Sequence, residues 1–356
     1  MMAIVPGDEK MTRRVALITG ITGQDGAYLA RALLQKNYQV VGGVRRSASA
    51  SLWRLEELGI PQHENLALMN FDLMDAGGAT RLLARVHPDE VYNLAAHSFL
   101  GASFEEPMLT LQTAGTGPLQ LLEAIRAIDP KIRFYQASSS EMFGLPASSP
   151  QDEETAFRPR TPYGAAKVYA HWMTVIYRDT YGLFGCSGIL YNHESPLRSQ
   201  DFVTRKISDG VARIRLGKLD CLRLGNLDAR RDWGHAPEYA DAMIRMMQAP
   251  SPGTFVLATG RTASIRDFAT MAFRAAEIDI EFRGHGVEET AVERNSGRVM
   301  IRVDPAFYRP TEVEQLVGNP ARARALLGWE AVMPLERICA EMVQADLRRS
   351  AAGLSR

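Results

Sequence analysis

The chain has 356 residues, enough for a large core and more than one domain. Lys plus Arg and Asp plus Glu both number 41, so no global field favours nucleic acid or a membrane surface, and any anionic ligand must be held by local clusters. The three widely spaced cysteines, Cys186, Cys221 and Cys339, argue against a disulfide framework and against a zinc site, and no apolar run approaches the ~20 residues of a spanning helix.

The opening MMAIVPGDEK carries an acidic pair and lacks the basic-then-apolar order of a signal peptide, so residues 1–10 read as a disordered leader to a soluble, cytoplasmic protein. RRVALITG is a short apolar, β-branched run ending in glycine: a buried strand with a turn after it. AYLARALLQKNY has apolar residues at helical spacing, and QVVGGVRR reads as a second strand. NLALMNFDL is a third strand, GATRLLARVHP a helix and EVYNLAA a fourth strand. TAGTGPLQLLEAIRAI is a long helix, RFYQASS the next strand and GCSGILYNHE the sixth. Such alternation predicts parallel strands joined by crossover helices, an α/β Rossmann-type doubly wound sheet. Beyond the sixth strand the rhythm becomes irregular. Short strands, the Gly- and charge-rich FRGHGVEETAVERNSGR and a last helix PLERICAEMVQADLRRS suggest a smaller α/β substrate-binding domain. The expected division is residues 11–190 with 235–260 returning to the first domain, and 191–234 with 261–350 forming the second. Ligands of open parallel sheets bind beyond the strand C-termini, so chemistry is sought in residues just after strands.

TGITGQDG puts Gly20, Gly23 and Gly26 between the first strand and the first helix. Glycines there permit a tight turn, close approach of backbone to a pyrophosphate and close helix-on-strand packing, while the helix N-terminus favours the anion. An ordinary strand–helix turn can also carry a glycine triplet; its place in the strand–helix order favours the cofactor reading. The second strand ends in Arg45-Arg46, where an acid would suit the ribose of NAD. An arginine can instead take a 2′-phosphate, which favours NADP over a merely solvated basic pair. Asp72 and Leu73 end the third strand where an adenine would lie, although an Asp after a strand also serves as a turn residue.

TPYGAAK sets Tyr163 and Lys167 four apart at a helix start, hence on one face, with Pro162 suited to the first turn. A free tyrosine, with a pKa of about 10, is a poor base at neutrality, and a nearby ammonium stabilises its phenolate. Upstream, ASSSEMFG places Glu141 among Met142 and Phe143. A carboxylate beside apolar side chains loses hydration and becomes a better acid or base near neutrality, whereas a helix-start carboxylate facing water would not.

Tyr-x-x-x-Lys with upstream hydroxyls resembles the extended short-chain dehydrogenase/reductase superfamily, whose members include the G-x-x-G-x-x-G spacing. Longer stretches narrow the resemblance to the GDP-mannose 4,6-dehydratase family: ALITGITGQDGAYLA, YNLAAHSFLGASFEEP, FYQASSSEMFG, YGAAKVYAHW, GILYNHESPLRSQDFVTRKI and LGNLDARRDWGHAPEYADAM, in the same order from about residue 14 to 348. The resemblance implies that Glu141 is the base which simple reductases lack, with Ser139, Tyr163 and Lys167 completing the catalytic set. It implies NADP held by Gly20, Ile21, Thr22, Gly23, Gln24, Asp25 and Gly26; by Arg45, Arg46 and Ser47; by Asp72 and Leu73; by Leu94, Ala95, Ala96, His97 and Ser98; and by Tyr163, Lys167, His193 and Arg198. It implies GDP-sugar contacts at Asn192, Lys206, Arg231, Arg309 and Glu312, basic groups suiting the diphosphate and Glu312 the sugar hydroxyls. No metal is expected. His97 departs from the family's usual glutamine, Leu109 from a tyrosine, and Leu197 and Ser199 from its common SPRRG. The implied reaction is a hydro-lyase conversion of GDP-D-mannose to GDP-4-dehydro-6-deoxy-D-mannose and water, by internal hydride transfer from C4 to C6. The alternatives are the same dehydration of another GDP-sugar such as GDP-manno-heptose, a nucleotide-sugar 4-epimerase or 4-keto reductase, and a catalytically silent NADP-sensing module. Epimerases and reductases need no base at C5, so Glu141 speaks against them. The family forms dimers and tetramers; a homodimer or homotetramer is expected, with residues 46–54 reaching a neighbour's cofactor.

Overall fold

The apolar run after Arg14 forms strand β1 (Val15–Thr19), which lies inside a seven-stranded parallel sheet rather than at its edge. The computed structural model describes residues 13–45, 51–75, 77–96, 98–307 and 315–354. β1 pairs with β2 (Gln39–Val44) on one side and with β4 (Glu90–Asn93) on the other; β3 (Leu66–Asn70) lies beyond β2. β5 (Arg133–Ser139) and β6 (Gly185–Leu190) follow β4, and the strand Thr254–Leu257 closes that edge by pairing with β6. The order reverses at β1, so a crevice opens past the C-termini of β1 and β4, where this sheet type binds ligands.

Helices cover both faces because the strands are apolar on both: every residue of β6 is buried. α1 (Gln24–Gln35) and the helix Ala236–Gln248 pack Leu29, Leu33, Met243 and Met247 onto one face. Helices Gly78–Val86, Gly117–Ile128 and Pro162–Tyr181 pack Leu82, Leu121, Ile125 and Tyr177 onto the other.

Two expected elements are divided. GCSGILYNHE is not one strand: β6 ends at Leu190, and Asn192–Glu194 pairs instead with Trp233–His235 in a separate two-stranded parallel sheet. This break carries the chain from the sheet edge towards the second core. The expected helix from Thr113 begins as a wider π-helical turn, Leu111–Thr116, before the α-helix Gly117–Ile128. Thr113 and Thr116 hydroxyls donate to the carbonyls of Leu109 and Gln112, competing with the backbone pattern there. The second core lies between helices Val203–Arg215, Ile265–Ala275 and Leu335–Ala351 and a four-stranded sheet, with Ile207, Val211, Phe268, Phe273, Ile301 and Met342 buried together. The glycine- and charge-rich stretch supplies part of that sheet, Ile280–Arg283 pairing antiparallel with Thr290–Glu293.

Candidate active site

The glycine turn is shaped by contacts no side chain would permit. Gly20 has φ +73°, and a Cβ there would lie 2.9 Å from Ala95 N; a Cβ on Gly26 would lie 2.4 Å from Gly20 O. The first therefore lets the turn pass against the end of β4, and the third lets α1 rest on the turn. Gly23 caps α1 without a side-chain hydrogen bond, so the helix N-terminus is left to the cleft. Thr19, at the end of β1, accepts the N–H groups of Leu94 and Ala95 on its hydroxyl and donates to Asn93, which in turn bonds Gln136. This buried polar row fixes the ends of β1, β4 and β5 relative to one another.

A cleft of about 340 Å³ follows from this turn. Of the residues expected to hold a cofactor, it is lined by Gly20, Thr22, Gly23, Gln24, Asp25, Gly26, Arg45, Asp72, Leu73, Leu94, Ala95, Ala96, Ser98 and Arg198. Ile21 is buried beneath the turn. His193 is buried too: its Nε2 lies 3.0 Å from Asp25, its Nδ1 2.7 Å from the Tyr191 carbonyl, and its ring stacks on Tyr239. Burial opposes charge on both partners, yet their mutual attraction prevails, holding Asp25 down at about 2 and raising His193. Gln24 adds a bond to the His193 carbonyl and accepts one from Ser195. Arg198 pairs with the buried Glu194 at 3.1 Å and lies over the Phe202 ring. Arg46, Ser47, His97, Arg309 and Glu312 lie outside the described residues, as does the expected leader.

The cleft also brings in Arg54, Thr113, Ser199 and Phe202, which the sequence reading did not assign to the cofactor of this chain. Arg54 binds within its own subunit, donating from Nε to the Leu197 carbonyl at 2.7 Å and from Nη1 to the Thr22 carbonyl at 3.2 Å. The resemblance points residues 46–54 at a neighbour's cofactor; what the sequence does not show is that Arg54 lies on the cleft of its own chain, its guanidinium stacked on the adjacent Trp53 at 4.5 Å.

Next to the cleft, the ends of β5 and the helix Pro162–Tyr181 bring the reactive candidates together. Thr161 caps that helix by accepting the Gly164 N–H, and Pro162 occupies its first position. The helix start rests on the Glu141 backbone: a Cβ on Gly164 would lie 2.6 Å from Glu141 O. Ser139 ends β5, and its hydroxyl accepts the Glu141 N–H at 3.2 Å, turning the chain so that Met142 and Phe143 enter the core while Glu141 stays half-buried. Tyr163 is buried; burial and the Glu141 charge raise its pKa, and a hydrogen bond with Ser139 opposes them. Lys167 lies one turn on, its ammonium 5.6 Å from the Tyr163 ring centroid and 2.7 Å from the Ala137 carbonyl, with burial lowering it to about 8. Thus Ser139, Glu141, Tyr163 and Lys167 form one cluster.

Asn192 lies just beyond β6, whose Leu190 is in register with Ser139. Lys206 projects over the Phe307 ring, and burial lowers its pKa. Arg231 lies on a short strand paired with residues 263–264 and 315–316. Among the described residues no group of His, Cys, Asp and Glu could hold a metal ion, and no helix is long and apolar enough to cross a membrane.

The family model described as GDP-mannose 4,6 dehydratase matches residues 17–342. A GDP-mannose 4,6-dehydratase of Yersinia enterocolitica is 47% identical over 350 residues, covering 94% of this chain and 94% of that one. Among solved structures, the RMD protein of Pseudomonas aeruginosa complexed with NADPH superposes with a TM-score of 0.74 at 21% identity, covering 95% of this chain and 98% of that one. A dTDP-glucose 4,6-dehydratase of Bacillus anthracis in complex with NAD gives 0.77 at 18% identity, covering 95% and 98%. These two likenesses establish the shared fold.

Proposed function

The chain belongs to the GDP-mannose 4,6-dehydratase family, and from that premise we propose that it removes water from GDP-D-mannose to give GDP-4-dehydro-6-deoxy-D-mannose. The observation that carries the reading is Glu141, a half-buried carboxylate whose charge is felt by Tyr163 within the Ser139–Tyr163–Lys167 cluster. The cleft suits a nicotinamide dinucleotide: Gly20 and Gly26 let the turn, the end of β4 and α1 pack closely beside it, and the uncapped start of α1 suits a pyrophosphate. Arg45, exposed at the end of β2 and on the cleft wall, supports NADP as the form bound, by pairing with a 2′-phosphate. The residues lining this cleft would hold the dinucleotide, which when bound would supply the hydride chemistry between sugar C4 and C6.

The chain's residues handle the protons. Tyr163 accepts the C4 hydroxyl proton while Ser139 holds that oxygen, and the resulting ketone acidifies the C5 proton. Glu141 removes the C5 proton and then protonates the C6 hydroxyl as it departs as water, and C5 takes up a solvent-derived proton when hydride is returned to C6. Lys167, 5.6 Å from the Tyr163 ring centroid, would supply positive charge favouring the Tyr163 phenolate against the burial and the Glu141 charge that oppose it. Asn192, Lys206, Arg231, Arg309 and Glu312 would receive the GDP-sugar. The proposed division of labour gives the cofactor to residues 11–190 with 235–260 and the sugar nucleotide to 191–234 with 261–350, in a homodimer or homotetramer.

The test follows the label. GDP-mannose deuterated at C4 should give product deuterated at C6, and reaction in deuterium oxide should place solvent deuterium at C5. Glu141→Gln should still reduce bound NADP⁺, seen as absorbance near that of NADPH, without releasing dehydrated product. Normal dehydration by that variant, or C4 deuterium lost to solvent, would sink the mechanism.

A further inference from the structure

Four arginines converge behind the glycine turn, and three of them have carboxylate partners. Arg198 pairs with Glu194 at 3.1 Å, Arg205 with Asp346 at 2.7 Å, and Arg349 with Glu57 at 3.0 Å and Asp346 at 3.2 Å. Among the described residues no carboxylate lies within ion-pair distance of the fourth, Arg54, whose bonds go to the carbonyls of Thr22 and Leu197. Its guanidinium is nonetheless fixed. It stacks on Trp53 at 4.5 Å, and Trp53 in turn meets the Arg349 guanidinium at 5.2 Å, so the C-terminal helix holds the ring in place. Burial, then the charges of Arg205 and Arg198, disfavour its charged form and lower it to about 10; the Asp25 carboxylate, beyond ion-pair distance and already paired with His193, favours it only in part, and Arg349 opposes it again. A desolvated cation facing three other cations and one shared carboxylate leaves room for a further anion.

The position of Arg54 says which anion. It lines the cleft beside Thr22, Gly23 and Gln24, at the start of α1, whereas Arg45 lies past the end of β2. We propose that Arg54 is a binding residue for the diphosphate of the dinucleotide, held in its own subunit by Trp53 and the carbonyls of Thr22 and Leu197. This rests on the reading of the cleft as a dinucleotide site. A guanidinium has five donors in a planar fork; the bonds to Leu197 and Thr22 set the plane of that fork against the turn that receives the phosphates. The pyrophosphate is common to NADP⁺ and NAD⁺, so Arg54 contributes to affinity without choosing between them. Arg45 does the choosing.

Calorimetric titration of the full chain with NADP⁺, NAD⁺ and GDP separates the possibilities. Arg54→Met should weaken NADP⁺ and NAD⁺ by the same factor, about ten- to a hundredfold, the range for one charge-assisted hydrogen bond. GDP affinity should be unchanged, and Arg45→Ala should weaken NADP⁺ alone. If Arg54→Met weakens NADP⁺ only, the residue reads the 2′-phosphate; if it weakens GDP, it serves the sugar nucleotide; if it weakens nothing, it binds no ligand. Each of these overturns the proposal. If Arg54→Met does not fold, Arg54→Lys decides: equal weakening of both dinucleotides supports the assignment, and undiminished binding overturns it. Failure of the wild-type chain to bind either dinucleotide overturns the cofactor reading itself, and this inference with it.

Discussion

The reactive cluster and the clamp beneath the glycine turn are both buried and both polar, yet they treat charge in opposite ways. In the clamp, every ion but Arg54 has an opposite: Asp25 faces His193, Glu194 faces Arg198, and Asp346 faces Arg205 and Arg349. Asp25 is thereby held at about 2 and stays ionised at any ordinary pH. In the cluster, Lys167 meets a carbonyl and Tyr163 a hydroxyl, so burial moves Lys167 down to about 8 and Tyr163 up. Counter-ions lock geometry; dipoles leave a group able to gain or lose its proton. The clamp therefore sets where the turn, the 195–199 loop and the C-terminal helix lie, and in the cluster Lys167 is left able to lose its proton near pH 8.

The sharpest test of that contrast is Tyr163→Phe. It removes the proton acceptor and leaves the ring packing, so turnover of GDP-mannose should fall by about 10²–10⁴ or more while dinucleotide affinity and melting temperature stay close to wild type. Near-normal turnover would remove Tyr163 from the mechanism.

Asp346→Asn probes the other side. Arg205 and Asp346 are both almost wholly buried, and Ser208 donates to the same carboxylate. Removing the acid takes the buried carboxylate from Arg205 and leaves Arg349 with Glu57, and the unfolding free energy should drop by about 3–5 kcal/mol in urea titration, the range for breaking a buried pair. Because Arg205 also holds the Arg198 carbonyl and Arg349 the Pro196 carbonyl, dinucleotide binding should weaken too. An unchanged midpoint would show that the clamp does not hold the loop.

The smallest effect is a pH trend. Lys167 has a folded value of about 8 against 10.5 when free, so the unfolded chain binds more protons between those limits. Burying the ammonium costs stability below about pH 8, and that cost is relieved as pH rises towards 10.5. The melting temperature of ligand-free Lys167→Met, minus that of wild type, should therefore be largest below pH 8 and decline to pH 10.5. A difference flat across that window would mean that Lys167 is not desolvated.

Much of this was legible in the chain. The strand–turn–helix of VALITGITGQDG and the shared face of Tyr163 and Lys167 follow from local geometry, because 3.6 residues per turn and a short apolar run are properties of adjacent residues. The GCSGILYNHE strand misled because apolarity continues through Tyr191 while the hydrogen-bonding partner changes from β5 to the Trp233–His235 strand. Continuity of side-chain type says nothing about which backbone lies alongside.

The sequence by itself determined the α/β alternation, the glycine turn and the identity of the reactive side chains. Only the tertiary structure decided their partners: that Arg54 stacks on Trp53 and reaches back to Thr22, that Asp25 finds His193, and that Arg205 meets a carboxylate 141 residues away. Charge and spacing are written residue by residue. Desolvation and pairing depend on what long-range packing places within a few ångströms, and those two quantities separate the groups that lock from the groups that react.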